Sequence, residues 1–455
     1  MKLSQCLKVK KNKPRYIGKR DTVVILALYG FCPAALYAGE FAYGLGYSSE
    51  YSSNIAHVPD NRQNEWINSV MAGLGYAENT PDFVAHVLSQ VQYLNYHNNV
   101  FANDTLFNLD SSAVWTVSPQ QFNWSASDVY RQLPIDVTAT DTPANRENVN
   151  VFSTGPDFLV HLSPVQPVAL GGRYGNVYTA HDNTDNDRTS GYARWLYQST
   201  PRTTYSLNYE TQDVRYKDDV ANTNFTQQDL YASVHTRPSR SEFILDLGTT
   251  KISRDRTSDV RQGRGKLTWM RQINPDSSLG AAFSAESSNT GNDVLAASTP
   301  ATGPVPSPVP ITQPSAVTSD VYRTKRGEVF YSLQSSRFGT ALQVFGQQVD
   351  YQLTPDDNRQ SGGNFRFSYY YSDTFTTTLF GDYAKTRYTI LERRDIDRSA
   401  GLRFARRVGR DILMTLEGRR IERASTDPTA PFTDNRLLFT VLYSSGPVFR
   451  TLSAR

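Results

Sequence analysis

Eight charged residues occur in this chain between apolar neighbours, at positions that alternate with them: Arg173, Arg194, Glu210, Asp246, Lys266, Arg366, Asp382 and Arg403. Leu245 and Leu247 flank Asp246, and Leu267 and Trp269 lie just beyond Lys266. A set of both signs spread along a chain in this way is not a bond-making constellation. It suits a wall that water reaches, where such groups tune the passage of ions and polar solutes. It equally suits any barrel interior, which must pair its charges. The six histidines, His57, His86, His97, His161, His181 and His235, offer little more. None has helical metal-ligand spacing or belongs to a serine–histidine–acid pattern; most fall in loops or near turns, and each is expected to be a solvated polar side chain. There is no phosphate loop, dinucleotide fingerprint or zinc motif. The acidic run Asp182–Asp187 resembles a calcium loop in composition but lacks its glycine and terminal glutamate. No catalytic or metal-ligating residue is assigned, no cofactor is expected, and an enzyme is not.

The elements that position the charged set follow from a repeat. A proline-marked turn recurs at Thr80-Pro81-Asp82, Ser118-Pro119-Gln120, Ser163-Pro164-Val165, Thr200-Pro201-Arg202, Arg237-Pro238-Ser239 and Asn274-Pro275-Asp276, with steps of 38, 45, 37, 37 and 37 residues. It continues without proline at Ser335-Ser336-Arg337, Ser372-Asp373-Thr374 and Val408-Gly409-Arg410. Between turns lie two stretches of period-two alternation separated by a longer polar loop. Phe41, Tyr43, Leu45 and Tyr47 share one face; so do Val70, Ala72, Leu74 and Tyr76, and later Phe365, Phe367, Tyr369 and Tyr371. Such alternation marks half-buried strands. One hairpin per repeat, with short turns at one end and long loops at the other, predicts an all-β, transmembrane, antiparallel up-and-down barrel. Nine short turns, with both termini at the same end, imply about 20 strands (18–20). Aromatics beside the turns, Tyr76, Phe83, Trp115, Phe122, Tyr205, Tyr371 and Phe375, suit an interfacial girdle.

Three segments stand apart. Residues 1–38 hold eight basic side chains, an apolar run from Thr22 to Tyr37 and small residues after it, which reads as a secretory signal peptide; an N-terminal anchor is the alternative. Their removal changes the formal charge from +3 to −4 and takes away both cysteines, Cys6 and Cys32. The basicity therefore belongs to the leader and does not argue for nucleic acid. The barrel is placed at 39–445, with a tail at 446–455. A proline-rich insertion at about 288–320, densest from Thr299 to Pro314, is read as a disordered surface loop rather than one folded into the lumen. The strand expected from Val149 to Leu162 carries Gly155-Pro156 and is read as bulged there, or as starting at Asp157. Near the C-terminus, Leu437, Phe439, Val441 and Tyr443 form an alternating aromatic-ended strand of the kind barrel-assembly machinery recognises. The segment Arg393–Arg423 is arginine-rich, suited to anionic sugars or lipopolysaccharide phosphates, or to a solvated basic rim.

Two segments carry a resemblance. Phe41-Ala42-Tyr43-Gly44-Leu45-Gly46-Tyr47-Ser48-Ser49-Glu50-Tyr51 and Asn148-Val149-Asn150-Val151-Phe152-Ser153-Thr154-Gly155-Pro156-Asp157, with Arg173-Tyr174 and Asp185-Asn186-Asp187-Arg188, resemble an outer-membrane β-barrel porin family associated with exopolysaccharide operons and PEP-CTERM/exosortase loci in Gram-negative bacteria. The resemblance covers about residues 39 to 445. It implies a barrel in the outer membrane, in contact with outer-membrane lipid and lipopolysaccharide, and a polysaccharide setting with exopolysaccharide and export-complex proteins as partners. It names no catalytic residue. Three functions follow as expectations: a channel or accessory barrel for exopolysaccharide export, a general diffusion porin, and a barrel-embedded enzyme or soluble all-β sugar-binding protein.

Overall fold

The computed structural model describes residues 39–180, 183–298, 317–354 and 356–446. The leader, the proline-rich core of the insertion and the last nine residues, to which several expectations attach, lie outside them.

Twenty strands form one closed antiparallel sheet. In chain order they are β1 (Glu40–Ser52), β2 (Glu65–Asn79), β3 (Phe83–Tyr96), β4 (Asp104–Ser118), β5 (Phe122–Pro134), β6 (Arg146–Ser163), β7 (Gln166–Thr179), β8 (Asn186–Thr200), β9 (Thr203–Tyr216) and β10 (Phe225–Thr236). There follow β11 (Ser241–Arg254), β12 (Val260–Asn274), β13 (Ser277–Ser288), β14 (Tyr322–Gln334), β15 (Phe338–Tyr351), β16 (Asn358–Ser372), β17 (Phe375–Tyr388), β18 (Arg393–Val408), β19 (Ile412–Ser425) and β20 (Phe432–Ser444). Each strand pairs with its neighbours in sequence, and β20 pairs with β1, so no edge is left open. All nine marked turns are the short connections. Proline suits them because its φ is already that of the second turn residue.

Alternation dictates which way each residue points. Val70 and Val344 are each 59 % exposed and Leu247 is 58 % exposed, on one face of their strands. A row of large apolar side chains left open around a closed sheet is a belt for hydrocarbon, and it excludes the soluble alternative. Aromatic rings gather on this face at the short-turn end, as in the stacked pair Phe122–Phe158 at 4.8 Å.

Three sequence expectations need correction. First, β6 neither bulges at Gly155-Pro156 nor starts late; the one register shift against β7 falls near the turn, between His161 and Ser163. The strand runs unbroken from Arg146 to Ser163, and Thr154↔Tyr174 and Asp157↔Gly171 lie in one register across β6 and β7. Proline is tolerated because Arg173 Nη1 donates to the carbonyls of Pro156 and Gly172 at 3.0 and 2.8 Å, standing in for a ladder donor. Secondly, the described flanks of the insertion do not form a surface loop. A helix, α1 (Thr290–Ser298), and the stretch from Val317 to Val321 fold inside the barrel. Val294, Leu295 and Val317 pack on the inward side chains Val129, Leu133, Val149, Val151 and Val177, while Val321 packs on Val214, Tyr216, Phe225 and Ile252. Thirdly, the loop that the sequence suggests over Lys385–Asp397 is much shorter: β17 and β18 are joined by residues 389–392 alone.

The seam between β1 and β20 is also held by polar groups. The buried Asp434 carboxylate accepts hydrogen bonds from Ser52 Oγ at 2.8 Å, the Asn54 amide at 3.0 Å and Arg436 Nε at 2.6 Å. His57, expected as a solvated loop residue, is buried here, 3.5 Å from Asp434 and stacked on Phe432. Asp434→Ala leaves these donors unsatisfied and should cost about 3 kcal/mol, measured as a lower urea midpoint for loss of the heat-modifiable folded band.

Candidate functional site: the inner wall of the barrel

The face opposite the apolar belt carries all eight of the charged residues singled out above, and the register decides which of them meet. Arg173, Arg194 and Glu210 join a ladder that crosses eight strands, β6 to β13, and takes side chains from seven of them. It begins on β6 and β7, where Asp157 takes two hydrogen bonds from Arg173 Nη2 at 2.7 Å each. On β8, the Tyr192 hydroxyl donates to the same carboxylate, and the Arg194 guanidinium lies 5.2 Å from the Tyr192 ring centre. Arg194 then reaches Glu210 of β9 at 3.2 Å, which also accepts from Tyr231 of β10 at 2.7 Å. Arg264 of β12 sits 3.9 Å over the Tyr231 ring and pairs with Glu286 of β13 at 3.0 Å.

Two glycines let the ladder span more than adjacent strands. Gly171 of β7 stands in register between Asp157 and Tyr192, and a Cβ there would run into the Tyr192 ring. Gly248 of β11 stands between Tyr231 and Arg264, and a Cβ there would run into Tyr231. Each missing side chain is a notch through which a longer one reaches the next strand but one. Gly171→Val should therefore expel Tyr192 and leave Asp157 with one partner fewer. The expected cost is about 1–3 kcal/mol, read from urea unfolding of the refolded barrel, whereas Gly191→Val on the outward face of β8 should cost less.

The remaining charged residues form local pairs or stand open. Asp246 and Lys266 are directly opposite on β11 and β12, and Asp246 accepts from Ser233 Oγ at 2.6 Å. Asp382 accepts from Ser399 Oγ at 2.6 Å, and Arg403 pairs with Glu417 at 2.6 Å. Lys266 and Arg366 are exposed to the lumen. Between these groups, Arg326 pairs with Glu328 at 2.8 Å, and Gln343 and Asn364 extend the network at 3.0 and 2.7 Å.

Sequence reasoning did not single out Asp157, Tyr192, Tyr231, Arg264 or Glu286. Extending the Lys266 parity by two residues reaches Arg264. Tyr192 and Tyr231 are amphipathic residues that alternation alone does not orient. The C-terminal set Leu437, Phe439, Val441 and Tyr443 lies on the outward face of β20, opposite Tyr51, Ser49, Tyr47 and Leu45 of β1.

Above the ladder, α1 is anchored to the same wall. The buried Arg188 of β8 donates to Asn289 at 2.6 Å and Asn292 at 3.2 Å, and Gln212 of β9 donates to Asn292 at 3.1 Å. The Val317 amide donates to the Pro134 carbonyl at 3.1 Å. Its described residues therefore narrow the lumen at the long-loop end.

No protein-family profile matches the chain, and no curated protein does. Solved structures similar to it include the FrpB iron transporter from Neisseria meningitidis, at 10 % identity over 88 % of this chain and 81 % of that one, with a TM-score of 0.45. The copper transporter OprC matches at 10 % identity over 90 % and 81 %, with a TM-score of 0.45. OccK2 (OpdF) of Pseudomonas aeruginosa matches at 8 % identity over 90 % and 98 %, with a TM-score of 0.39.

Proposed function

We propose that this barrel lies in the outer membrane of a Gram-negative cell, short turns toward the periplasm, and conducts hydrophilic, sugar-bearing material as a channel or accessory protein of exopolysaccharide export. We read it as a channel and not as an enzyme. The observation that carries this reading is the inner-wall ladder from Asp157 to Glu286, in which carboxylates, guanidinium groups and tyrosines alternate strand by strand. Neighbouring strands are about 4.8 Å apart, so the ladder offers closely spaced donors and acceptors to a string of hydroxyl groups. Conduction needs many weak sites rather than one strong one. The resemblance of the opening and middle segments to exopolysaccharide-associated barrels supports the same cargo.

The test is a planar-bilayer recording of the purified barrel with the cell's own exopolysaccharide fragments added to one side, paired with polymer release from a deletion strain. Concentration-dependent current block, weakened by Glu210→Gln, and loss of released polymer are expected. Unimpeded current together with normal polymer release would overturn the export reading. The inward-folded α1 favours a second reading, a general diffusion porin with a constricting loop. Liposome swelling separates the two: a porin admits unrelated small sugars at rates set by size alone.

A further inference from the structure

The outward face is not uniform at its long-loop end. Arg359 is the second residue of β16, Arg387 the penultimate residue of β17 and Arg394 the second residue of β18. The register sets them side by side: Arg359 is opposite Arg387, and Arg387 is opposite Arg394. All three are exposed; the Arg394 backbone amide donates to Thr426 Oγ1 at 2.9 Å, but none of the three guanidinium groups makes a hydrogen bond or ion pair with the described residues. Their parity is that of Phe365, Leu379, Tyr383 and Leu402, the exposed apolar belt just below. Arg393, one residue away and turned inward, is by contrast paired with Asp395 at 2.7 Å.

Like charges directly opposite on a sheet repel, so three unpaired guanidinium groups in one row are unfavourable unless an anion sits among them. The nearby acids are otherwise placed. Asp357 caps the Tyr351 amide at 2.8 Å, Glu422 lies 3.8 Å from Arg420, and Glu392 is in the turn between β17 and β18. On the far side of the barrel the corresponding rim is neutral or acidic, with Asn176, Asp187 and Asp213, and its Arg215 is paired with Asp213 and Asp255. Lys251 and Arg261 also face each other outward at the long-loop end of β11 and β12, but Lys251 there is paired with Asp259 at 3.2 Å. The row on β16, β17 and β18, with three unpaired guanidinium groups, lies at headgroup depth directly above an apolar surface.

We propose that Arg359, Arg387 and Arg394 bind the phosphates of an acylated, phosphorylated glycolipid of the surrounding leaflet, the chemistry of lipopolysaccharide, with its acyl chains on the belt below. Guanidinium groups match phosphate oxygens in a bidentate way. The inference rests on the outer-membrane placement proposed above. Cell fractionation tests that placement separately, while the lipid experiment is done on purified protein.

The full barrel is purified in detergent, checked for heat-modifiable migration and mixed with bisphosphorylated lipid A, with the same lipid dephosphorylated, or with inorganic phosphate; bound lipid is counted by native mass spectrometry. The triple variant Arg359→Gln, Arg387→Gln, Arg394→Gln should lose bound bisphosphorylated lipid A at least about tenfold relative to the parent. The matched triple Arg202→Gln, Arg337→Gln, Arg406→Gln, at the short-turn end, should retain it, as should the charge-keeping variant Arg387→Lys to a lesser degree. Dephosphorylated lipid should bind equally weakly to all. Equal retention by the rim triple, or equal loss from both triples, would overturn the proposal. Displacement by millimolar inorganic phosphate as effective as by the lipid would do the same, marking a site for a free anion. Should the rim triple refold poorly, the single Arg387→Gln, expected to lose several-fold, decides by the same readout.

Discussion

Leu245→Arg should abolish assembly of the barrel, whereas Asp246→Asn should leave it intact. The two residues are adjacent on β11 but point to opposite sides of the wall, and the register places Leu245 opposite Leu267 and Asp246 opposite Lys266. An arginine near the middle of the hydrocarbon belt costs about 2–4 kcal/mol. Loss of a charge on the wet inner face costs within about 0.5 kcal/mol, because water and Ser233 remain. The same contrast is expected for Leu267→Arg against Lys266→Gln. Heat-modifiable migration of membranes from expressing cells is the measurement, and equal defects within each pair would refute the orientation. Asp246→Asn and Lys266→Gln should still alter ion selectivity in opposite directions, since both groups belong to the lumen wall.

Replacing residues 290–317 with a short glycine–serine linker should raise single-channel conductance severalfold while leaving the barrel folded. The strand ladder is complete without this segment, so its removal sacrifices no pairing between strands. It does uncover Val129, Leu133, Val149, Val151 and Val177, which then face water in the lumen. The thermal stability of the folded band should therefore fall somewhat even as the pore widens. Val294→Asp tests the same contact by a single change, because a carboxylate among those valines cannot be accommodated. Deleting only 299–314 should change neither conductance nor folding. An unchanged conductance in the 290–317 variant would mean that α1 does not constrict the path.

The strand count, the nine short turns and the facing of the strictly alternating strands were legible in the residues themselves. The reason is that a bilayer imposes one strict condition: apolar side chains on one face of every strand, at every second position. Phe41 to Tyr47, or Leu245 beside Asp246, meet that condition locally, and no distant contact is needed to read it. Pairing between charges is another matter. Asp157, Tyr192 and Glu210 meet because strand register and two side-chain-free notches, at Gly171 and Gly248, bring them within reach, and register belongs to the closed sheet. Gly155-Pro156 looked like a break because proline lacks a donor, yet Arg173 from the neighbouring strand supplies one. The insertion looked like a solvated loop because proline-rich composition carries no partner information, and its flanks turn inward because an apolar patch on β5, β6 and β7 awaits them on the lumen side. His57 became a seam residue for the same reason: Asp434 and Arg436 reach it only when the last strand closes on the first. Local alternation answers to the solvent on each face, whereas the identity of each partner answers to closure of the barrel.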